Sequence, residues 1–95
     1  MKFMLSWRVH TDKRQEALKG FSQMTDEDIK SDIGDNIQLI GRWHDMVGFT
    51  GVAIFETDDP NAIANFALNW NAVLDATVTP VLDDDEARSI GQMRE

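Results

Sequence analysis

The sequence contains no cysteine and only two prolines among its 95 residues. Without cysteine the chain forms neither a disulfide framework nor a thiolate site, which favours a reducing compartment. No apolar run approaches the roughly 18–20 residues that a membrane-spanning helix requires. The N-terminal stretch MKFMLSWRVH lacks both the long apolar region and the cleavage site of a signal peptide. We therefore expect a cytoplasmic protein.

Basic residues are also scarce, with nine Lys and Arg against 17 Asp and Glu and a formal net charge of −8. Nucleic acids and anionic membrane surfaces bind basic faces, so neither is an expected partner. The acidic clusters TDEDIKSDIGD, ETDDP and LDDDE lack the ligand spacing of a calcium loop and are typical of helix starts and solvated turns. No cofactor is implied. The length suits a single domain over residues 1–95.

Alternating apolar and polar residues predict four strands. They cover KFMLSWRV (2–9), NIQLIGRWH (36–44), FTGVAIFET (49–57) and ATVTPVL (76–82). The tetrapeptide DMVG supplies a hairpin turn between the second and third strands. Because Pro80 has no N–H to donate, the fourth strand belongs at a sheet edge or carries a break.

Two short helices are predicted between the first two strands. In TDKRQEALKGFSQM, apolar residues share one helix face, and Asp12 with Gln15 resembles a capping box. A second helix begins at Thr25, which forms the same pattern with Asp28.

The clearest amphipathic helix follows the third strand. It is capped by Asp58 or Asp59, has Pro60 in its first turn, and keeps its apolar spacing as far as Leu74. An acid-capped helix, DDDEARSIGQMRE, ends the chain. The order β-α-β-β-α-β predicts an α+β, ferredoxin-like fold. Its four antiparallel strands have the order 4-1-3-2, and its helices cover one face.

The other face of this sheet has no helix to cover it. We expect the helices to cover the more apolar face, with Phe3, Leu5, Trp7, Val9, Ile37, Leu39 and Trp43. The open face then presents Ser6, Arg8, His10, Gln38, Ile40, Arg42 and His44, while the orientation of the third strand stays undetermined. Two open faces packed together would form a homodimer with a cavity between the sheets, a dimeric α/β barrel.

Several polar residues of the open face are candidates for binding a ligand in that cavity. They are Ser6, Arg8, Gln38, Arg42 and His44. Their arginines would suit a carboxylate or an enolate. The arginines could instead pair with acids on the rim or on the other subunit.

The two histidines are candidates for other chemistry. His44, and after it His10, is a candidate catalytic base. Their strands are two spacings apart, about 9.6 Å, which is too far for both to bind one zinc ion. We therefore expect no metal site.

The second half of the chain carries a distinctive pattern, FETDDPNAIANFALNWNAVLDATVTPVLDDDEA. Its ETDD, the NW late in the helix, LD, VTPV and the acidic tail resemble a bacterial family of unknown function, number 3303 in the unknown-function series. The stretches MKFMLSWRV and GRWHD are compatible with that family, although Phe66 or a neighbour stands where the family often has a second tryptophan. The resemblance implies a ferredoxin-like, dimeric α/β-barrel protein and implies no activity.

Three functions remain open, in order of preference. The first is a homodimer that binds a small anionic or aromatic metabolite between its sheets. The second is a structural or interaction module without a ligand. The third is a cofactor-free monooxygenase or isomerase that uses a histidine base.

Overall fold

The computed structural model describes all residues, 1 to 95, as four strands and four α-helices. The strands are β1 (Lys2–Val9), β2 (Gln38–Asp45), β3 (Thr50–Glu56) and β4 (Leu74–Val81). The helices are α1 (Arg14–Ser22), α2 (Asp26–Ile33), α3 (Pro60–Leu68) and α4 (Asp84–Met93). None of the four helices has both the length and the apolar character needed to span a bilayer.

The strands form one antiparallel sheet in the order β2-β3-β1-β4. This is the predicted ferredoxin-like order 4-1-3-2, and the fold prediction is confirmed. Strand β4 lies at an edge of the sheet, as predicted from Pro80. An edge strand has a neighbour on one side only, so it tolerates a residue that lacks an N–H.

The helix starts show where local sequence determines structure. Thr25 and Asp28 form the predicted capping box of α2, with N···O distances of 3.0 and 3.1 Å. The box predicted at Asp12 is wrong, because a 3-10 turn, Thr11–Lys13, takes that place and α1 begins without a side-chain cap. At the start of α3, Asp59 accepts a hydrogen bond from the Asn61 N–H at 2.9 Å.

Helix α3 ends at Leu68, earlier than its apolar spacing predicts. Leu74 belongs instead to β4, where it is paired with Val9 of β1. The asparagines at 69 and 71 have a low helix propensity, so strand pairing outweighs the continued apolar spacing.

The core lies between the sheet and the helices. Its centre is Phe55, which is fully buried and whose ring centroid lies 5.2 Å from that of Phe66 on α3. Phe3, Leu5, Ile37, Ala53 and Ile63 complete the cluster. Helices α1 and α2 contribute no buried residue, so α3 is the helix that holds the core closed.

A β-bulge in β2 changes the face to which its side chains point. Leu39 lies opposite Phe55, but Gly41 lies opposite Ile54, which leaves Ile40 as an extra residue without a partner. An extra residue shifts the alternation of a strand by one position. Arg42 therefore lies opposite the buried Ala53, on the face that the helices cover.

The bulge overturns one prediction about the open face. Arg42 and His44 do not lie there, because strict alternation along β2 overlooked the extra residue. Trp43, predicted to be covered, lies opposite Val52 on the open face and is 60% exposed. The orientation of β3 is now fixed, with Val52 and Ile54 on the open face.

Gly51 makes room for a core indole. It lies opposite both Trp7 and His44, and a Cβ added there would overlap the Trp7 ring. We expect Gly51→Ala to lower the free energy of unfolding by about 1–3 kcal/mol, because the Trp7 ring must shift from its contacts with the buried cluster. The measurement is urea denaturation.

The matched control is Gly20→Ala on the exposed surface of α1, where a Cβ meets no atom within 4 Å. Because alanine favours a helix over glycine, this variant should gain about 0.5–1 kcal/mol. A Gly51→Ala protein as stable as the wild type would show that Trp7 is free to leave its position.

Candidate functional site

A cavity of about 110 Å³ lies between the covered face of the sheet and helices α1 and α3. Eleven of its thirteen lining residues are hydrophobic. The aromatic ones are Trp7, Phe21, Phe55, Phe66 and Trp70. The other two lining residues are Arg42 and His44, so the bulge has placed both ionisable groups in an otherwise apolar space.

A wider and more open groove of about 750 Å³ lies between α1 and the β2–β3 hairpin. It shares Trp7, Ala17, Phe21, Arg42 and His44 with the cavity. The two spaces therefore meet at a junction beside Arg42 and His44, the basic pair. Because α1 has no buried residue, it forms a loosely packed roof over this junction.

Arg42 is a half-buried cation without an ion-pair partner. No carboxylate lies within 4.0 Å of its guanidinium. The guanidinium carbon lies 5.3 Å from the centroid of the Phe21 ring, a cation–π contact. Burial lowers the pKa of Arg42, and the more distant charge of Asp32 partly opposes that effect. An arginine nevertheless stays charged at neutral pH, so the junction is electropositive.

The His44 ring lies between two aromatic rings. Its centroid is 4.7 Å from that of Phe21 and 5.4 Å from that of Trp7, which it meets edge to face. Burial lowers the pKa of His44, and the positive charge of Arg42 lowers it further. At neutral pH the imidazole is therefore uncharged and able both to donate and to accept a hydrogen bond.

Trp70 links the cavity wall to α2. Its Nε1–H donates to the Asp32 carboxylate at a distance of 2.9 Å. This bond holds the Asp32 carboxylate against the indole. Asp32 forms no ion pair with Arg42. Neither Trp70 nor Asp32 was a candidate in the sequence, because their 38-residue separation leaves no local pattern.

The remaining predicted site residues lie on the open face, away from the cavity. Ser6 is opposite Val52 and Thr77, and Gln38 is opposite Glu56. The structure therefore does not assemble Ser6, Arg8, Gln38, Arg42 and His44 into one site.

At one end of the open face, His10 and Arg8 lie beside an acid of β4. Arg8 is opposite Asp75, whose carboxylate lies 3.1 Å from His10 Nε2. The predicted grouping of Arg8 and His10 with Arg42 and His44 is wrong, because the sheet separates the two pairs. No group of three or more His, Asp or Glu side chains is placed to hold a metal ion.

Asp45 stabilises the hairpin next to the site. Its carboxylate accepts hydrogen bonds from the N–H groups of Val47 and Gly48 at 3.1 and 2.9 Å. These bonds lower the pKa of Asp45. Asp45 thus fixes the turn that follows His44 and does not pair with Arg42.

The comparisons with known proteins extend over nearly the whole chain. The family model described as Domain of unknown function (DUF3303) matches residues 1–94, which confirms the resemblance found in the sequence. No curated protein matches the chain. Among solved structures, it is similar to an uncharacterized NIPSNAP domain protein from Burkholderia xenovorans. Sequence identity is 17%, the TM-score is 0.46, and the match covers 87% of this chain and 95% of that one.

The lowered pKa of His44 makes stability depend on pH. Below the unfolded value of about 6.5, the unfolded chain binds a proton that the folded chain does not. The contribution of His44 to the free energy of unfolding should therefore be complete above about pH 6.5 and decrease as the pH drops below that value. The effect should be small, because His44 as a whole residue is exposed.

Urea denaturation between about pH 5 and 7.5 measures this slope, above the range where carboxylates titrate. His44→Gln should flatten the slope. Arg42→Gln, which removes the smaller of the two causes, should flatten it in part. An unchanged slope in His44→Gln would contradict the assignment.

Proposed function

The chain belongs to the family described as Domain of unknown function (DUF3303), and we propose that it binds a small carboxylate with an apolar, aromatic body. The observation that supports this function is that Arg42 is half-buried and forms no ion pair. A half-buried cation without a partner is costly in an apolar setting, and an anion that pairs with it recovers part of that cost. Arginine also matches the planar geometry of a carboxylate with two parallel hydrogen bonds.

The size of the cavity limits the body of the ligand. Small-molecule pockets usually measure about 300–1,000 Å³, and a cavity of about 150 Å³ holds benzene. A space of about 110 Å³ is smaller than that, so it suits a short aliphatic chain or part of one ring whose other edge reaches the adjoining groove. A larger ligand would place its remaining atoms in the groove beneath α1.

His44 gives the site a second polar contact. Its neutral ring lies at the same junction and can donate one hydrogen bond to an anion bound at Arg42. This site lies within one chain, beneath the helices, and differs in place from the inter-sheet cavity that the sequence suggested.

We also propose that the open face of the sheet packs against a second copy of the chain. That face carries Met4, Val52 and Ile54 on its two central strands and the exposed Trp43 on the edge strand β2. A folded single chain of 10.8 kDa is expected to expose about 5,500 Å², whereas this chain exposes 6734 Å². The excess of about 1,200 Å² compares with the roughly 800 Å² that each partner buries in a standard interface.

Titration with benzoate tests the ligand site, with benzamide as the neutral molecule of the same shape. Binding is followed by the fluorescence of the cavity tryptophans and by calorimetry. We expect benzoate to bind and benzamide to bind at least tenfold more weakly, because hydrogen bonds to charged groups contribute about 1.5–3 kcal/mol.

Arg42→Gln should weaken benzoate binding by a similar factor. Arg8→Gln is the matched control, since Arg8 lies on the open face, and it should leave binding unchanged. Equal binding of the two ligands, or an unaffected Arg42→Gln protein, would refute the role of Arg42. A dimer that binds no small carboxylate would favour the interaction-module function.

The dimer is tested by placing a charge at the centre of the open face. Val52→Lys should convert the protein to a monomer in size-exclusion chromatography with light scattering, because a buried unpaired charge opposes association. Asn65→Lys on the exposed side of α3 is the control and should remain dimeric. Benzoate binding should survive in both variants, and a dimeric Val52→Lys protein would exclude this face as the interface.

A further inference from the structure

Helix α4 is well formed but has no buried residue. It begins with a capping box, in which the Asp83 carboxylate accepts the Glu86 N–H at 2.8 Å and the Glu86 side chain accepts the Asp83 N–H at 3.1 Å. Every residue from 82 to 95 is exposed. A ten-residue helix is marginal in water by itself, so this one needs a surface to cover.

One stripe of α4 is apolar. Ala87, Ile90 and Met93 are spaced three residues apart and therefore lie along one side of the helix. Ile90 is 47% exposed and Met93 83% exposed, and Leu82 just before the helix is also half exposed. Acidic residues fill the first turn, so the helix does not suit an anionic membrane or nucleic acid.

Lys2 fixes the side on which α4 leaves the sheet. Its Nζ lies 3.5 Å from the Asp83 carboxylate and 3.9 Å from that of Glu86. Lys2 shares the open face with Met4 and Ser6, because alternate residues of a strand point the same way. The start of α4 is thus anchored at the end of the open face.

The shape of the chain indicates that the partner of α4 lies outside it. A compact domain of 95 residues is expected to have a radius of gyration of about 12.4 Å. The observed value is 15.1 Å, and the longest dimension is 51 Å against 28 and 19 Å for the others. The chain is therefore more elongated than a compact domain. Such a shape is expected of a subunit whose terminal helix packs on another subunit.

We infer that α4 packs through Ala87, Ile90 and Met93 against a second copy of this chain. The inference rests on the dimer proposed above, since a copy that covers the open face comes within reach of a helix anchored at its end. A two-fold dimer uses the same surface twice, so each interface would gain two such stripes. The two helices would add contact area to the sheet-to-sheet contact and account for part of the excess exposed surface.

The first test compares two variants of equal charge change. Ile90→Glu places a carboxylate in the stripe, and Gln92→Glu places one on the opposite side of the same helix. By analytical ultracentrifugation, we expect the dimer dissociation constant to rise at least tenfold for Ile90→Glu and to change less than about twofold for Gln92→Glu. Circular dichroism checks that both variants keep the fold.

A wild-type dimer whose dissociation constant is the same in Ile90→Glu would overturn the inference for α4 and leave the open-face dimer standing. A wild-type monomer would overturn both. The ligand site is measured separately, because benzoate binding to Arg42 belongs to one chain.

Hydrogen exchange of the α4 amides supplies an independent measurement on the unaltered protein. Protection should rise with protein concentration through the range where the dimer forms, and should be absent in Val52→Lys. Protection that does not depend on concentration would show that α4 is covered from within the chain, and would overturn the inference.

Discussion

The alternation of side chains along β2, and the single residue that interrupts it, determine both surfaces of this protein. Side chains of a strand point to opposite faces in turn, so a residue that the pairing passes over exchanges the faces that strict counting assigns to every later position. Ile40 is that residue. Because β3 pairs with Gly41 and not with Ile40, Arg42 and His44 lie beneath the helices and Trp43 points outwards. A basic pair in an apolar cavity and an exposed indole on the open sheet thus have one common cause.

The uneven packing of the helices determines where a cavity can form. Helix α3 contributes Ile63 and Phe66 to the buried cluster, whereas α1 and α2 bury no residue. The space beneath α1 is therefore incompletely filled, and the half-buried Arg42 is accommodated there by the face of Phe21. The hydrogen bond from Trp70 to Asp32 ties α2 to the wall of the same cavity.

Local sequence patterns predicted much of the fold. The alternation in β1, the box of Thr25 and Asp28, and Pro80 at an edge strand each reflect interactions between near neighbours or a property of one residue. The order of elements then left one familiar antiparallel arrangement, and the structure has it. The end of α3 was predicted less well, because the pairing of Leu74 with Val9 is a contact between distant segments.

The site was predicted in composition but not in position. Arg42 and His44 were identified from their residue types, and their face was assigned by counting along a regular strand. Gly41, an isolated glycine within a strand pattern, was the one local sign of a bulge. Phe21, Trp70 and Asp32 join the site only through tertiary packing, so no spacing in the sequence could have grouped them.

The bulge also separates the length of β2 from the position of its side chains. Every residue from Gly41 to Asp45 pairs in turn with β3, so Ile40 alone is passed over. A chain without Ile40 would pair regularly and would still place Arg42 opposite Ala53. An alignment gap of one residue at this strand would therefore mark the loss of the bulge, with Arg42 and His44 kept on the same face. A relative of full length whose strand paired regularly through this position would instead carry its arginine on the open surface.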